Sequence, residues 1–100
     1  MIVGVARLDI RLFNVHSLKQ KRSEISRLLS RLRSKFPLSL AEVGLLDLHQ
    51  RALIGASMCA GNEKIINAVF KNMEKEIESA GLVEIIALDI EYLHYGDEIQ

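Results

Sequence analysis

The sequence predicts an α+β domain built in the order β-α-β-β-α-β. Three observations predict it. Two stretches repeat apolar residues at helical spacing, each opened by a capping residue and closed by a breaker. Four other stretches alternate or concentrate apolar residues at strand length. No repeat, low-complexity run or Pro/Gly-rich linker interrupts them, so residues 1–95 read as one unit followed by a polar tail at 96–100.

Residues 2–13 are the first expected strand. Ile2, Gly4, Ala6, Leu8, Ile10 and Leu12 share one face, and Val3, Val5, Arg7, Asp9, Arg11 and Phe13 the other. Ser17, with Gln20 three residues on, forms a Ser-x-x-Gln capping box that opens the first helix. Leu18, Ile25, Leu28, Leu29, Leu32 and Phe36 form its apolar stripe, and Pro37 stops it near Lys35. "LSLAEVGLL", residues 38–46, is the second strand; "DLHQ" is a short connector; "RALIGASMCA", residues 51–60, is the third strand. Asn62 caps a second helix whose stripe is Ile65, Ile66, Val69, Phe70, Met73 and Ile77, with Gly81 as its stop. Residues 83–94 are the fourth strand, with Ile86, Leu88, Ile90 and Tyr92 on one face. The economical solution for this order is the ferredoxin-like split β-α-β fold. Its units are right-handed. The expected sheet order is 4-1-3-2, antiparallel throughout, with both helices on one face and the other face open.

Composition narrows the functional classes. The chain is 49% apolar and 26% charged, the balance of a soluble globular protein. It has no apolar run long enough to span a membrane, and its opening "MIVGVARLDIRLF" alternates too regularly for a signal peptide. Cys59 is the single cysteine, so no internal disulfide forms and a reducing cytoplasm is expected. The zero net charge hides a polarity: residues 1–50 hold nine Lys/Arg and four Asp/Glu (+5), and residues 51–100 hold four and nine (−5).

The candidate site begins at "HSLKQKR", residues 16–22, which crowds cations against the positive end of a helix dipole. The topology gathers His16, Ser17, Lys19, Lys21 and Arg22 with the connector residues Asp47, His49, Gln50 and Arg51. It also brings in the acidic end of the second helix, Glu74, Glu76 and Glu78. Two readings follow. Ser17, first-turn N–H groups, Lys19, Lys21 and Arg22 form an anion site; or Lys21 and Arg22 are neutralised by the second helix's acids. Arg27, Arg31 and Lys35 continue the basic face at i, i+4, i+8 beside a serine stripe, which a phosphate backbone or plain solvent would satisfy. Glu42, between apolar neighbours in a strand, needs a partner, and Arg51 across the hairpin is the expected one. Asp47 and His49 at i, i+2 fall short of a metal motif, and Asp47 is expected to bond backbone N–H groups of the turn.

On the open face, Arg7, Asp9 and Arg11 are expected to face Asp89 and Glu91 across the sheet. Around them lie Val3, Val5, Phe13, Leu53, Ile85, Ala87 and Leu93, a mixture suited to a homodimer interface.

"HSLKQKR", the Leu/Arg-rich helix after it and "SLAEVGLLDLHQRA" resemble the YlxP-like family of small bacterial cytoplasmic proteins of unknown function, over roughly residues 1–93. The resemblance implies a ferredoxin-like fold. The family's genes lie beside ribosome-maturation and translation factors, which implies a link to RNA. Acylphosphatases share the topology, but "LFNVHSL" after the first strand lacks their glycine-rich phosphate loop. With no nucleophile–base pair and no cofactor motif, the expectation is a non-enzymatic protein binding RNA or a ribosomal component through the basic first helix. The alternative is a protein-interaction or oligomeric module acting through the open sheet face.

Overall fold

Local capping chemistry sets where each helix starts. Ser17 Oγ accepts the Gln20 N–H at 3.0 Å, and Asn62 Oδ1 accepts the Ile65 N–H at 3.0 Å. Gly81 closes the second helix in the left-handed conformation, φ 67°. The computed structural model describes residues 1–96, and its elements follow the expected order: β1 (Ile2–Leu12), α1 (Leu18–Lys35), β2 (Ser39–Gly44), β3 (Arg51–Ala60), α2 (Glu63–Ala80) and β4 (Val83–His94). Residues 97–100 of the expected tail lie outside the described residues.

The sheet order is β2-β3-β1-β4 with all neighbours antiparallel, the expected 4-1-3-2 read from the other edge. α1 lies over β2, and α2 over β1, β3 and β4. The even-numbered residues of β1 point at the helices: Leu8 and Ile10 are fully buried, packed with Ile54 of β3, Leu32 of α1 and Phe70 and Met73 of α2. Gly4 is part of this arrangement, because a Cβ there would overlap the Ile66 side chain. The glycine lets α2 sit close on β1.

Three expectations change. β2 ends at Gly44 rather than residue 46, because the pairing with β3 slips between Glu42 and Gly44 and Leu45 turns into the left-handed region at φ 56°. Ile65 is half exposed, since Ile66 takes the core position in the first turn of α2. On β4 the alternation resets: Asp9 pairs with Ala87 but Ile10 with Ile85, so Ile86 is an extra residue in a β-bulge. Val83 and Ile85 therefore join Leu88, Ile90 and Tyr92 on the core side, and Ile86 is 40% exposed.

The bulge makes a direct test. Ile85→Ala is expected to cost about 1–3 kcal/mol in urea denaturation, the range for a partly buried large-to-small change. Ile86→Ala is expected to cost under about 0.5 kcal/mol, as for an exposed site. An uninterrupted strand would reverse that order.

Candidate functional site

The first turn of α1 is tied to both loops at its end of the sheet. Gln20 reaches back with its whole amide: Oε1 accepts the His16 N–H at 2.9 Å, and Nε2 donates to the Asn14 carbonyl at 3.0 Å. The capping box therefore closes on His16, one residue before the expected Ser17 N–H. Gln50 Nε2 donates to the Val15 carbonyl at 3.2 Å, and the Leu12 N–H to the Gln50 carbonyl at 3.0 Å. These bonds fasten the β1–α1 loop to the β2–β3 loop.

Lys21 completes the tie from inside. It precedes Ile25 and Leu28 by four and seven residues, so the helix period carries it to the apolar side. It is 1% exposed. Its Nζ donates to the Leu45 carbonyl at 2.7 Å and lies 2.9 Å from Glu42 Oε2. Glu42 faces the same way as buried Leu40, two residues earlier on β2. The contact to Glu42 is an ion pair out of line for a hydrogen bond; Oε2 has no hydrogen-bond partner among the described residues. Left-handed backbone costs a residue such as Leu45 about 1–2 kcal/mol, and the charged bond to its carbonyl offsets that strain.

Two expected pairings are thereby corrected. Lys21 is neutralised by Glu42 of β2, not by α2. The acid of α2 that does meet α1 is Glu76, whose Oε1 is 2.8 Å from both Arg31 Nε and Lys35 Nζ. The helices thus touch through the C-terminal half of α1, leaving its first turn clear of the α2 acids. Glu42 in turn is not the mate of Arg51. They project from opposite faces of the sheet, and Arg51 donates to Asp9 from Nη2, at 2.8 Å to Oδ1 and 2.7 Å to Oδ2, and from Nε at 3.1 Å to Oδ1.

The remaining candidates sort by what already holds them. Arg33 Nη2 donates to the Leu40 carbonyl at 2.7 Å. Arg27 is exposed and 3.9 Å from Glu24, a loose i, i+3 pair. Lys19 and Arg22 are exposed, with no ion pair or side-chain hydrogen bond among the described residues. Arg22 borders a recess of about 300 Å³ lined also by Leu18, Lys21, Glu42, Leu46 and Asp47. His16, Asp47, His49, Gln50 and Arg51 do come together, with Val15 and Leu48, around a shallow concavity of about 510 Å³. Among the described residues no three of His, Cys, Asp and Glu are placed to hold a metal ion.

Lys35 first, and Arg31 after it, hold the Glu76 carboxyl below the usual glutamate range. A carboxyl depressed in the folded state stabilises fully above its unfolded pKa and loses that contribution as pH falls through the folded value. Glu76→Gln is therefore expected to lower the urea midpoint at neutral pH, with the gap to wild type closing on acidification below the usual range. For the buried pair, Glu42→Gln leaves an ammonium without its counter-charge and is expected to cost about 3–5 kcal/mol. Lys21→Met with Glu42→Leu is expected to recover most of that loss. A double-mutant cycle in urea measures both.

Comparisons with known proteins agree with this frame. The chain is 35% identical over 54 residues to "Uncharacterized protein YlxP" of Bacillus subtilis (strain 168), a match covering 54% of this chain and 59% of that protein. It thus spans about three-fifths of that relative's length. Among solved structures it is similar to a structural-genomics protein, YJCS, with TM-score 0.53 and 10% identity over 92% of this chain and 99% of that one. At that identity the likeness shows the fold alone. The family described as "Protein of unknown function (DUF503)" matches residues 3–90, and the chain belongs to that family.

Proposed function

We propose that this protein is a non-enzymatic binding protein that contacts RNA, or an RNA surface of the ribosome, through the outward face of α1. The observation that carries the reading is the charge left on that helix after its internal contacts are counted. α1 holds seven cations and one acid, Glu24. Lys21 is buried beside Glu42, Arg33 is held on the Leu40 carbonyl, and Arg31 and Lys35 are shared with Glu76. Lys19, Arg22 and Arg27 remain outward with Ser23, Ser26, Ser30 and Ser34 between and beside them. Cations interleaved with hydroxyl donors suit phosphate oxygens, which accept both kinds of bond and carry no base identity.

The sheet is a poor alternative platform for RNA. Its outward cations Arg7, Arg11 and Arg51 are paired with Asp89, Glu84 and Asp9. Phe13 is exposed at the end of β1, but the outward positions of β3 present Leu53, Gly55, Ser57 and Cys59 rather than aromatic rings for base stacking. The reading places the protein in the cytoplasm and supports no cofactor.

Binding to ribosomal RNA, followed by fluorescence anisotropy, is expected to weaken steeply with salt. The log–log slope should reach about −0.7 to −0.9 per phosphate contacted. Lys19→Ala and Arg22→Ala should each reduce the slope by about one. Circular dichroism should stay unchanged, because both side chains stand in solvent. Arg31→Ala should cost less binding than either. A salt-insensitive interaction, or one indifferent to Lys19, Arg22 and Arg27 together, would exclude this role for α1.

A further inference from the structure

The open face of the sheet divides into two unlike halves. On the β1/β4 side the charges are paired within the face: Arg7 with Asp89 and Arg11 with Glu84, both at 3.4 Å, and Arg51 with Asp9 at 2.7 Å. On the β2/β3 side Arg51, which opens β3, is engaged by Asp9, and the other outward positions of the two strands are uncharged. Ser39, Ala41, Val43, Gly55 and Ser57 run up to Val5 and line a groove of about 290 Å³. The groove exists because these side chains are small; a Cβ on Gly55 would press on Val43. Val43, 57% exposed, and Val5, 45% exposed, stand at its margins. An uncharged, shaped strip bordered by neutralised ion pairs has the anatomy of an interface core and its rim.

Charge identifies the occupant. A polyanion finds each outward arginine of this face already engaged. A partner of one sign finds near-balance, three arginines against Asp9, Glu84, Asp89 and Glu91. A second copy of the chain fits both halves. Along β1 the outward charges alternate as Arg7, Asp9, Arg11. A two-fold axis lying across the strands runs the series backwards in the other copy, so Arg7 of each chain can be set opposite Asp9 of the other. The same axis lays the two uncharged strips on one another, Val43 of each chain against the small residues Ala41 and Gly55 of the other. Every contact is then made twice, as an isologous interface requires. The zero net charge of the chain adds no overall repulsion between copies.

We infer that the open sheet face is a self-association surface whose occupant is a second copy of this chain. Sedimentation velocity over a wide concentration range tests it on the full chain. The expected mass approaches twice 11.3 kDa. Val43→Glu puts an unpaired charge in the strip and is expected to raise the dimer Kd by about tenfold or more. Arg7→Asp sets like charges opposite one another and is expected to act in the same direction. Val43 is exposed in the single chain, so the far-ultraviolet spectrum and Tm of dilute Val43→Glu protein should match wild type, separating lost association from lost folding; Arg7→Asp also breaks the pair with Asp89 within the chain, and its effect is read from the dimer Kd of the folded protein. A wild-type chain that stays at 11.3 kDa throughout overturns the inference, as does a dimer indifferent to both substitutions. Capture of a different protein by a monomeric wild-type chain, abolished by Val43→Glu, would assign the face to that partner and overturn it equally.

Discussion

The Lys21 ammonium joins three pieces of chain: the start of α1, the core side of β2, and the Leu45 carbonyl at the turn out of β2. Removing a cation from water costs several kcal/mol even after relaxation. That cost is met locally by one carboxylate and one carbonyl, both placed by the sheet. The exchange runs in both directions. The ammonium needs Glu42 and Leu45 to be where they are; Leu45, in a backbone region ill suited to a branched side chain, needs its carbonyl held. The β2–β3 loop therefore takes its shape from the helix beside it, and the bonds from Gln20 and Gln50 reinforce the same junction from the surface. Slackening any of these groups would loosen the loop that carries Asp47 and His49.

This junction also explains how one helix can be so basic without opposing its own dipole throughout. The cations of α1 divide into three sets by direction. Lys21 and Arg33 turn toward the sheet and end on backbone carbonyls. Arg31 and Lys35, near the C-terminus where positive charge is favourable, share Glu76. Lys19, Arg22 and Arg27 point outward. This last set is the most open to another molecule, and it lies in the half of α1 that α2 does not neutralise. The offset contact between the helices thus matters functionally. Had the α2 acids reached the first turn, the exposed basic face would have been cancelled within the chain.

Much of this was legible in the sequence, because the fold is written in period and punctuation. Ser17, Pro37, Asn62 and Gly81 mark helix ends through local chemistry that needs no tertiary information. The Lys21–Glu42 pair was legible in part. Lys21 sits at i−4 to Ile25, on the apolar stripe, and Glu42 at i+2 to Leu40, on the core side of β2. Taken together, those two offsets point the residues at one another. Attending to charge order along the chain instead pointed Lys21 at α2 and Glu42 at Arg51. The bulge at Ile86 had no comparable signal. Ile85 and Ile86 are identical in chemistry, so a shift of register between them leaves no mark on the pattern. Only the competing demands of Asp9 and Ile10 on the neighbouring strand determine which isoleucine turns inward. The helix offset was equally hidden, since it depends on how Gly4 and Ile66 seat α2 over β1.

The two proposed surfaces lie on opposite sides of one sheet, and this separation bears on how they act together. The helices cover the inner face, so a partner of α1 and a partner of the open face do not compete for the same residues. A dimer formed through the open faces would place both α1 helices outward, one on each side of the assembly. Each chain offers few free cations, and a surface of three contacts binds weakly at physiological salt. Two such surfaces fixed on one rigid body convert a second contact on a long RNA into an intramolecular event, gaining affinity without any new bond. The gain requires an RNA able to reach both sides of the dimer, which favours an extended or folded RNA over a short oligonucleotide. The neutralised sheet and the selectively unneutralised helix are then complementary parts of one arrangement: the sheet binds its own kind because its charges are balanced, and α1 binds an anion because some of its charges are not.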